Sequence, residues 1–175
     1  MRRNSEAGLP GWARAAAIGA ALLAGTVVPA VPQETPLSVY GDWQLRCGLL
    51  PEGGDQCAAS QRVAAEDRGD VWLDAYLFRP EEDRSRLILS VLVPLQVILT
   101  KRLGIRIGAA TDVDWFDFRS CSAEGCVAPI EIDGPMATAM RAGAEALFIF
   151  FFEEDVGVGV PVSLSGFSDA VDALP

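Results

Sequence analysis

The fold class is decided by Val71-Trp-Leu-Asp-Ala-Tyr-Leu-Phe78 and by the nearby stretch Leu87-Ile-Leu-Ser-Val-Leu-Val93. Both are rich in β-branched and aromatic residues and are apolar on both faces, a pattern typical of central strands. Between them, Arg79-Pro-Glu-Glu-Asp-Arg-Ser85 has the proline and the charged side chains of a solvated turn. The sequence therefore predicts two strands joined by a turn.

Strand patterns continue on both sides of this centre. Residues 39–47 alternate apolar and polar side chains, which predicts a half-buried strand with residues 57–64 as its hairpin partner. Pro129 cannot donate to a ladder, so its strand should lie at an edge or contain a bulge. Further short strands are predicted at residues 97–100, 105–107, 115–121, 126–133, 147–152 and 158–164. The chain is thus expected to be mainly β, a β-sandwich or barrel-like domain of short antiparallel strands.

Two short helices interrupt this pattern. The first should begin at Pro135, which suits a first helical position, and should end at Gly143. The second should be capped by Ser165 and should present one amphipathic face. That face comprises Phe167, Ala170, Val171 and Leu174. We expect both helices to pack across open ends of the sheets.

The amino terminus has the pattern of an export signal. Arg2, Arg3 and Arg14 precede an apolar run over residues 15–28, which is shorter than the ~20 residues that span a bilayer. We expect a signal peptide at 1–30, cleaved after Ala30, and a single domain at 31–175 without an integral membrane span. The expected destination is the periplasm, with the outer membrane or the medium as alternatives.

Four cysteines, Cys47, Cys57, Cys121 and Cys126, remain after the signal peptide. In an oxidising compartment an even number of cysteines predicts disulfides. Of three possible connectivities, local pairs are favoured because turn residues lie between Cys47 and Cys57 and between Cys121 and Cys126. A redox pair would need the Cys-x-x-Cys spacing, and a four-thiolate zinc site would need a reducing compartment.

Charge and composition exclude several function classes. The 175-residue chain has a formal net charge of -10, which repels nucleic-acid phosphates. It contains no histidine, so it has no serine or cysteine triad that uses one and no histidine-ligated zinc. We therefore expect no enzymatic activity, no cofactor and no nucleic-acid partner.

The order of several landmarks resembles the invasion-associated locus B family of exported bacterial proteins. They are Gly41-Asp42-Trp43, Cys47, Cys57, Val93-Pro94-Leu95, Cys121, Cys126 and Val162-Ser-Leu-Ser-Gly166-Phe167. This resemblance implies a periplasmic or surface-associated β domain, linked in some pathogens to entry into host red cells, with no assigned enzymatic activity. The chain departs from the family pattern at Gln96, where glycine is usual, and through residues 101–114.

Acidic clusters offer two candidate sites. Asp112, Asp114 and Asp117 could supply oxygen ligands to calcium, but their spacing lacks the glycine and the closing glutamate of an EF-hand, so a turn is favoured. The run Glu153-Glu154-Asp155 could supply the two carboxylates of a glycosidase, although solvated turn carboxylates are much commoner.

An aromatic contact patch is the remaining candidate. Its expected members are Trp72, Trp115, Phe148, Phe150 and Phe152, for which core packing is the alternative interpretation. The leading hypothesis is a non-enzymatic envelope protein that acts by contact with an envelope or host protein, in host-cell interaction or invasion. The alternatives are a carboxylate-based hydrolase of envelope glycan, which should have a deep acidic cleft, and a purely structural envelope component.

Overall fold

A computed structural model of the chain describes residues 37–49, 55–65 and 68–175. They belong to one compact unit, Gln33–Pro175. The predicted signal peptide at 1–30 lies outside the described residues. Among the helices that the structure describes, none has the length and hydrophobicity needed to cross a bilayer.

The strands form two antiparallel sheets, which confirms the sandwich alternative of the prediction. The seven-stranded sheet has the order β1-β2-β3-β4-β5-β9-β8, and the four-stranded sheet has the order β11-β10-β6-β7. The strands are β1 (Ser38–Tyr40), β2 (Trp43–Leu49), β3 (Asp55–Ala65), β4 (Arg68–Phe78), β5 (Ile88–Val93), β6 (Leu103–Ile107), β7 (Asp114–Phe116), β8 (Ser120–Cys121), β9 (Cys126–Glu131), β10 (Glu145–Glu153) and β11 (Val156–Ser163).

The core lies between the inner faces of the two sheets. Alternate residues of β4 point inward because successive side chains of a strand face opposite ways, so Leu73 and Leu77 are fully buried. From the opposite sheet, Phe148 and Phe150 of β10 and Ile105 of β6 close the core. The two stretches that decided the predicted fold are therefore neighbouring central strands, β4 and β5, in antiparallel register.

Two predicted single strands are each divided in the structure. The strand predicted at residues 39–47 is β1 and β2, because Gly41 adopts a positive φ of 54° and makes a two-residue turn that pairs Tyr40 with Trp43. The strand predicted at residues 115–121 is β7 and β8, which belong to different sheets. In both cases the alternation of side chains predicted extended backbone, but this pattern does not encode the turn at Gly41 or the change of sheet between β7 and β8.

The strand predicted at residues 97–100 is wrong. A short 3-10 helix at Leu99–Lys101 takes its place. The positive φ angles of Gln96 and Arg102, at 75° and 64°, flank this segment and interrupt the extended backbone. The strand of Pro129, β9, lies between β5 and β8 and is not an edge strand, but β8 pairs only with Cys126 and Val127, so Pro129 itself has a neighbouring strand on one side alone.

The two predicted helices are present. Helix α1 (Gly134–Ala142) begins after Asp133, whose carboxylate accepts the Met136 N–H at 2.8 Å, and it ends at Gly143. Helix α2 (Phe167–Ala173) buries Phe167, Ala170 and Val171 as predicted. Its N-cap is Gly166 rather than Ser165, so that detail of the prediction is wrong.

Both predicted disulfides are confirmed. Cys47–Cys57 joins the paired strands β2 and β3, and Cys121–Cys126 joins β8 and β9. No cysteine of the chain is left free. Each bridge therefore fastens a hairpin of the seven-stranded sheet.

The first turn of the domain is fastened to the segment before α2, an arrangement that we call the terminal clasp. The Asp42 N–H donates to the Ser165 carbonyl at 3.1 Å, and the Trp43 indole N–H donates to the Ser163 carbonyl at 3.2 Å. A Cβ atom on Gly41 or on Gly166 would collide with backbone atoms across the clasp. The clasp thus brings together the first and the last landmark of the sequence resemblance.

Candidate functional site

The five aromatic residues predicted as one contact patch lie in separate places. Phe148 and Phe150 have no exposed surface, so the prediction that they form a contact surface is wrong. Their strand is apolar on both faces, and sequence alone does not say which face turns inward. Trp72 lies on the outer face of the seven-stranded sheet, beside Arg62, whereas Trp115 lies on the outer face of the four-stranded sheet. Phe152 is half-buried at the end of β10, against Phe150.

Around Trp115 the structure forms an apolar surface that the sequence analysis missed. Strand register places Trp115 beside Gly104, Gly104 beside Ile149, and Ile149 beside Gly159, all on the outward side of the sheet. We call this surface the outer apolar face. It consists of Trp115, Leu147, Ile149, Phe151 and Pro161. A usable sequence signal was the alternation of glycine with valine in β11, which places Val160 and Val162 inside and the glycines outside.

The glycines of this face allow large side chains to lie flat on the sheet. A Cβ atom on Gly104 would approach Val113 Cγ1 to 2.8 Å and Trp115 Cζ3 to 2.9 Å, so only glycine fits beneath the indole without a shift. The indole also stacks on Phe151, with ring centroids 6.2 Å apart and an interplanar angle of 30°. Trp115 nevertheless remains 37% exposed. It is therefore a fixed but accessible aromatic side chain.

Two basic residues at the border of the outer apolar face, Lys101 and Arg102, are paired, whereas Arg106, opposite Leu147 in the register, forms no ion pair with the residues that the structure describes. Lys101 contacts Glu154 at 2.8 Å, and this hydrogen bond raises the pKa of the lysine ammonium group. Arg102 donates to Asp117 at 2.8 Å and to the Trp115 carbonyl at 2.6 Å. Glu154 lies in the turn between β10 and β11. It belongs to the acidic run that the sequence offered as glycosidase carboxylates, and in the structure it forms an ion pair with Lys101. The border is thus polar without a strong excess of either sign.

A second feature, which we call the acidic groove, lies where β6 and β7 meet the end of β9 and the start of α1. Its volume is about 630 Å³. Its apolar floor includes Ile105, Ile107, Phe116 and Met136. Its rim carries four carboxylates, those of Asp112, Asp114, Glu131 and Asp133. The sequence analysis treated Asp112 and Asp114 as a turn and did not associate them with Glu131 or Asp133.

Two of the four rim carboxylates are held by neighbouring groups. Glu131 receives two hydrogen bonds from Arg86, at 2.9 and 2.8 Å, and this contact lowers the pKa of its carboxyl group. Asp133 accepts the Met136 N–H as the cap of α1. Asp112 and Asp114 are exposed and form no ion pair within the part of the chain that the structure describes. These two carboxylates are therefore available to a ligand.

The groove meets one condition of the hydrolase hypothesis and lacks another. Its rim is acidic, but a carboxyl general acid needs a raised pKa. Glu131 shifts in the opposite direction, and the carboxyl whose pKa is raised by burial is that of Asp74, on the outer face of the seven-stranded sheet. The hydrolase therefore remains a hypothesis without an identified acid and base pair.

A metal role for the aspartates finds no support in the geometry. Asp117 pairs with Arg102 and does not line the groove with Asp112 and Asp114. Within residues 37–49, 55–65 and 68–175, no three carboxylate or cysteine side chains are placed to hold a metal ion.

Comparison with known proteins gives consistent matches. The family model described as Invasion associated locus B (IalB) protein matches residues 43–175. The curated protein "Invasion protein B" of Bartonella bacilliformis is 24% identical over 139 residues, which cover 77% of this chain and 72% of that protein. A crystal structure of invasion associated protein b from Bartonella henselae matches with a TM-score of 0.66 at 20% identity, covering 79% of this chain and 94% of that one. The structural likeness shows a shared fold.

Proposed function

The chain belongs to the invasion associated locus B family, as the sequence resemblance predicted, and we propose that it is a non-enzymatic, exported envelope protein that acts through protein contact at its outer apolar face. The family is named for invasion, which suggests a role in interaction with a host cell. The proposed location is the periplasm, or the outer membrane or medium beyond it. The two disulfides are consistent with such an oxidising compartment.

One observation carries the proposal. Trp115 is held flat over Gly104 and against Phe151, yet more than a third of its surface is exposed. Tryptophan side chains are enriched among the residues that dominate binding energy, and a rigid one loses little conformational entropy on binding. The surrounding Leu147 and Ile149 extend the apolar area, and contiguous exposed apolar patches mark sites of association.

The proposal is tested by binding of the labelled, oxidised full chain to envelope fractions of the producing bacterium and to intact host cells. We expect saturable binding to at least one of these surfaces. Trp115→Ala should weaken it at least about tenfold, because interface tryptophans contribute more than ~1 to 2 kcal/mol.

Tyr76→Ala is the matched control. Tyr76 is 38% exposed, almost the same as Trp115, but it lies on the outer face of the seven-stranded sheet. Its removal should leave binding unchanged. Equal losses in both variants, or no saturable binding to either surface, would overturn the proposal. Release of soluble glycan from envelope by the purified chain would favour the hydrolase instead.

A further inference from the structure

We propose that the acidic groove binds a basic, extended segment of a partner protein, in which an apolar side chain stands two positions from a lysine or arginine. This site differs in charge from the outer apolar face and shares Trp115 with it, so the test below changes Asp112 and Asp114 and leaves Trp115 in place. The two surfaces meet at β7, where Asp114 and Phe116 line the groove and Trp115, which the strand register places on the outer face, also contributes to the groove's lining.

The groove has the dimensions and the floor of a binding site. Its volume of about 630 Å³ lies within the ~300 to 1,000 Å³ typical of ligand sites, which combine an apolar lining with a few convergent polar groups. Ile105 is almost fully buried at its base, whereas Ile107, Phe116 and Met136 are half-buried and keep apolar surface in contact with solvent. An occupant that covers this floor must therefore carry an apolar group.

The charge of the rim selects a cationic occupant. Four carboxylates surround the floor, and Arg86 neutralises only Glu131 among them. Asp112 and Asp114 make no ion pair in the described parts of the chain, so a lysine or arginine could pair with them without breaking an existing contact. Opposite charge at a rim steers association and suppresses wrong partners.

The geometry of β7 sets the spacing within the ligand. Asp114 and Phe116 are alternate residues of one strand, so their side chains reach the groove ~7 Å apart along it. An extended segment has the same repeat, because its alternate side chains also point to one side. A basic residue opposite Asp114 therefore places the residue two positions away against Phe116. This spacing favours a peptide over a simple cation, which would leave the floor uncovered.

The test uses the oxidised full chain and a short synthetic peptide. Every other residue of this peptide is serine, and the residues between the serines are lysine, leucine and lysine, in that order. Binding is measured by isothermal calorimetry at low and at physiological salt. The Asp112→Asn/Asp114→Asn variant should bind about fivefold more weakly, since exposed ion pairs contribute modestly and are screened by salt. The control Glu153→Gln/Asp155→Asn removes the same charge from the end of β10 and the turn that follows it, and it should bind like the wild type.

Three further probes separate the components of the proposal. A peptide with glutamate in place of lysine should not bind, a peptide with serine in place of leucine should bind severalfold more weakly, and spermidine should not displace the lysine–leucine peptide at equal concentration. Any one of four results would overturn the proposal. They are equal binding by the two double variants, undiminished binding of either altered peptide, displacement of the lysine–leucine peptide by spermidine, and no binding of the original peptide. Unchanged melting temperatures would establish that the variants are folded.

Discussion

The seven-stranded and the four-stranded sheets share one core but are held together differently. Both disulfides fasten hairpins of the seven-stranded sheet, β2–β3 and β8–β9, whereas the four strands of the other sheet contain no cysteine. The outer faces also differ. The seven-stranded sheet carries the exposed Arg62, which pairs with the buried Asp74, and the exposed Tyr76, whereas the four-stranded sheet carries the outer apolar face.

This difference separates covalent stabilisation from the surface available for contact. The sheet without disulfides depends on buried side chains such as Phe148 and Phe150 for its attachment to the core. The same sheet carries Trp115 outward and borders the acidic groove. The proposed contact functions therefore belong to the part of the molecule that is stabilised by packing.

The largest expected effect is the loss of stability when a buried side chain of the four-stranded sheet is removed. Phe148→Ala should lower the free energy of unfolding by ~3 to 5 kcal/mol, because it leaves a cavity in the core. Phe151→Ala, on the opposite face of the same strand, should lower the free energy of unfolding much less. The expected loss is about 1 kcal/mol for the ring stacking on Trp115, plus a small contribution from lost buried area. Urea denaturation measures both values, and similar losses would contradict the assignment of inner and outer faces.

The covalent side of the comparison is tested by removing each disulfide. Cys47→Ala/Cys57→Ala should lower the free energy of unfolding by ~3 kcal/mol and Cys121→Ala/Cys126→Ala by ~2 kcal/mol, because the closed loop is longer in the first pair. The sequence separations are 10 and 5 residues. Urea denaturation under non-reducing conditions measures the values. A larger loss for the shorter loop would contradict the entropic explanation of the difference.

The smallest effect concerns pH and two carboxyl groups that pair with arginines on the seven-stranded sheet. Burial raises the pKa of Asp74, although Arg62 and Tyr76 partly oppose the shift. The folded state then binds the proton more tightly than the unfolded state, so this group's contribution to stability is lost as pH rises from about 4 through the folded pKa. The free energy of unfolding of the wild type should therefore fall relative to Asp74→Asn across this window.

Glu131 provides the contrast because Arg86 lowers the pKa of its carboxyl group. Here the folded state releases the proton more readily, so stability is present above the unfolded pKa and is lost as pH falls through the folded one. Relative to Glu131→Gln, the wild type should gain stability with rising pH. Thermal melts of the three proteins from acidic to neutral pH give both slopes, and slopes of the same sign would contradict the assignments.

Much of the fold could be predicted because its determinants are local. Alternation located most strands, the turn residues between cysteines indicated the disulfide pairs, and Gly143 marked the end of α1. The divisions of the strands predicted at residues 39–47 and 115–121 depend on a positive φ at Gly41 and on a change of sheet. Neither is encoded by the period of the pattern.

The candidate sites were harder to predict because they depend on pairing between distant segments. Asp112 and Asp114 approach Glu131 and Asp133 only because β7, the edge strand of the four-stranded sheet, contacts β9, which lies next to the edge of the seven-stranded sheet. The exposed side of β10 likewise depends on β11 and β6 being its neighbours. Sequence named Trp115 as a candidate contact residue, and the structure leaves it partly exposed, but the partners that fix its ring, Gly104 and Phe151, come from two other strands.

The terminal clasp constrains the order in which this protein can reach its native state. Trp43 is made early, yet its hydrogen-bond acceptor lies 120 residues later, and its aromatic partner Phe167 follows that acceptor. In a nascent chain that ends before Ser163, the indole of Trp43 therefore has neither its hydrogen-bond acceptor nor its aromatic partner. Contacts between residues this distant in sequence also form slowly. Completion of the fold therefore requires that synthesis has passed Phe167, so a nascent chain that stops short of this residue remains incompletely folded on the ribosome.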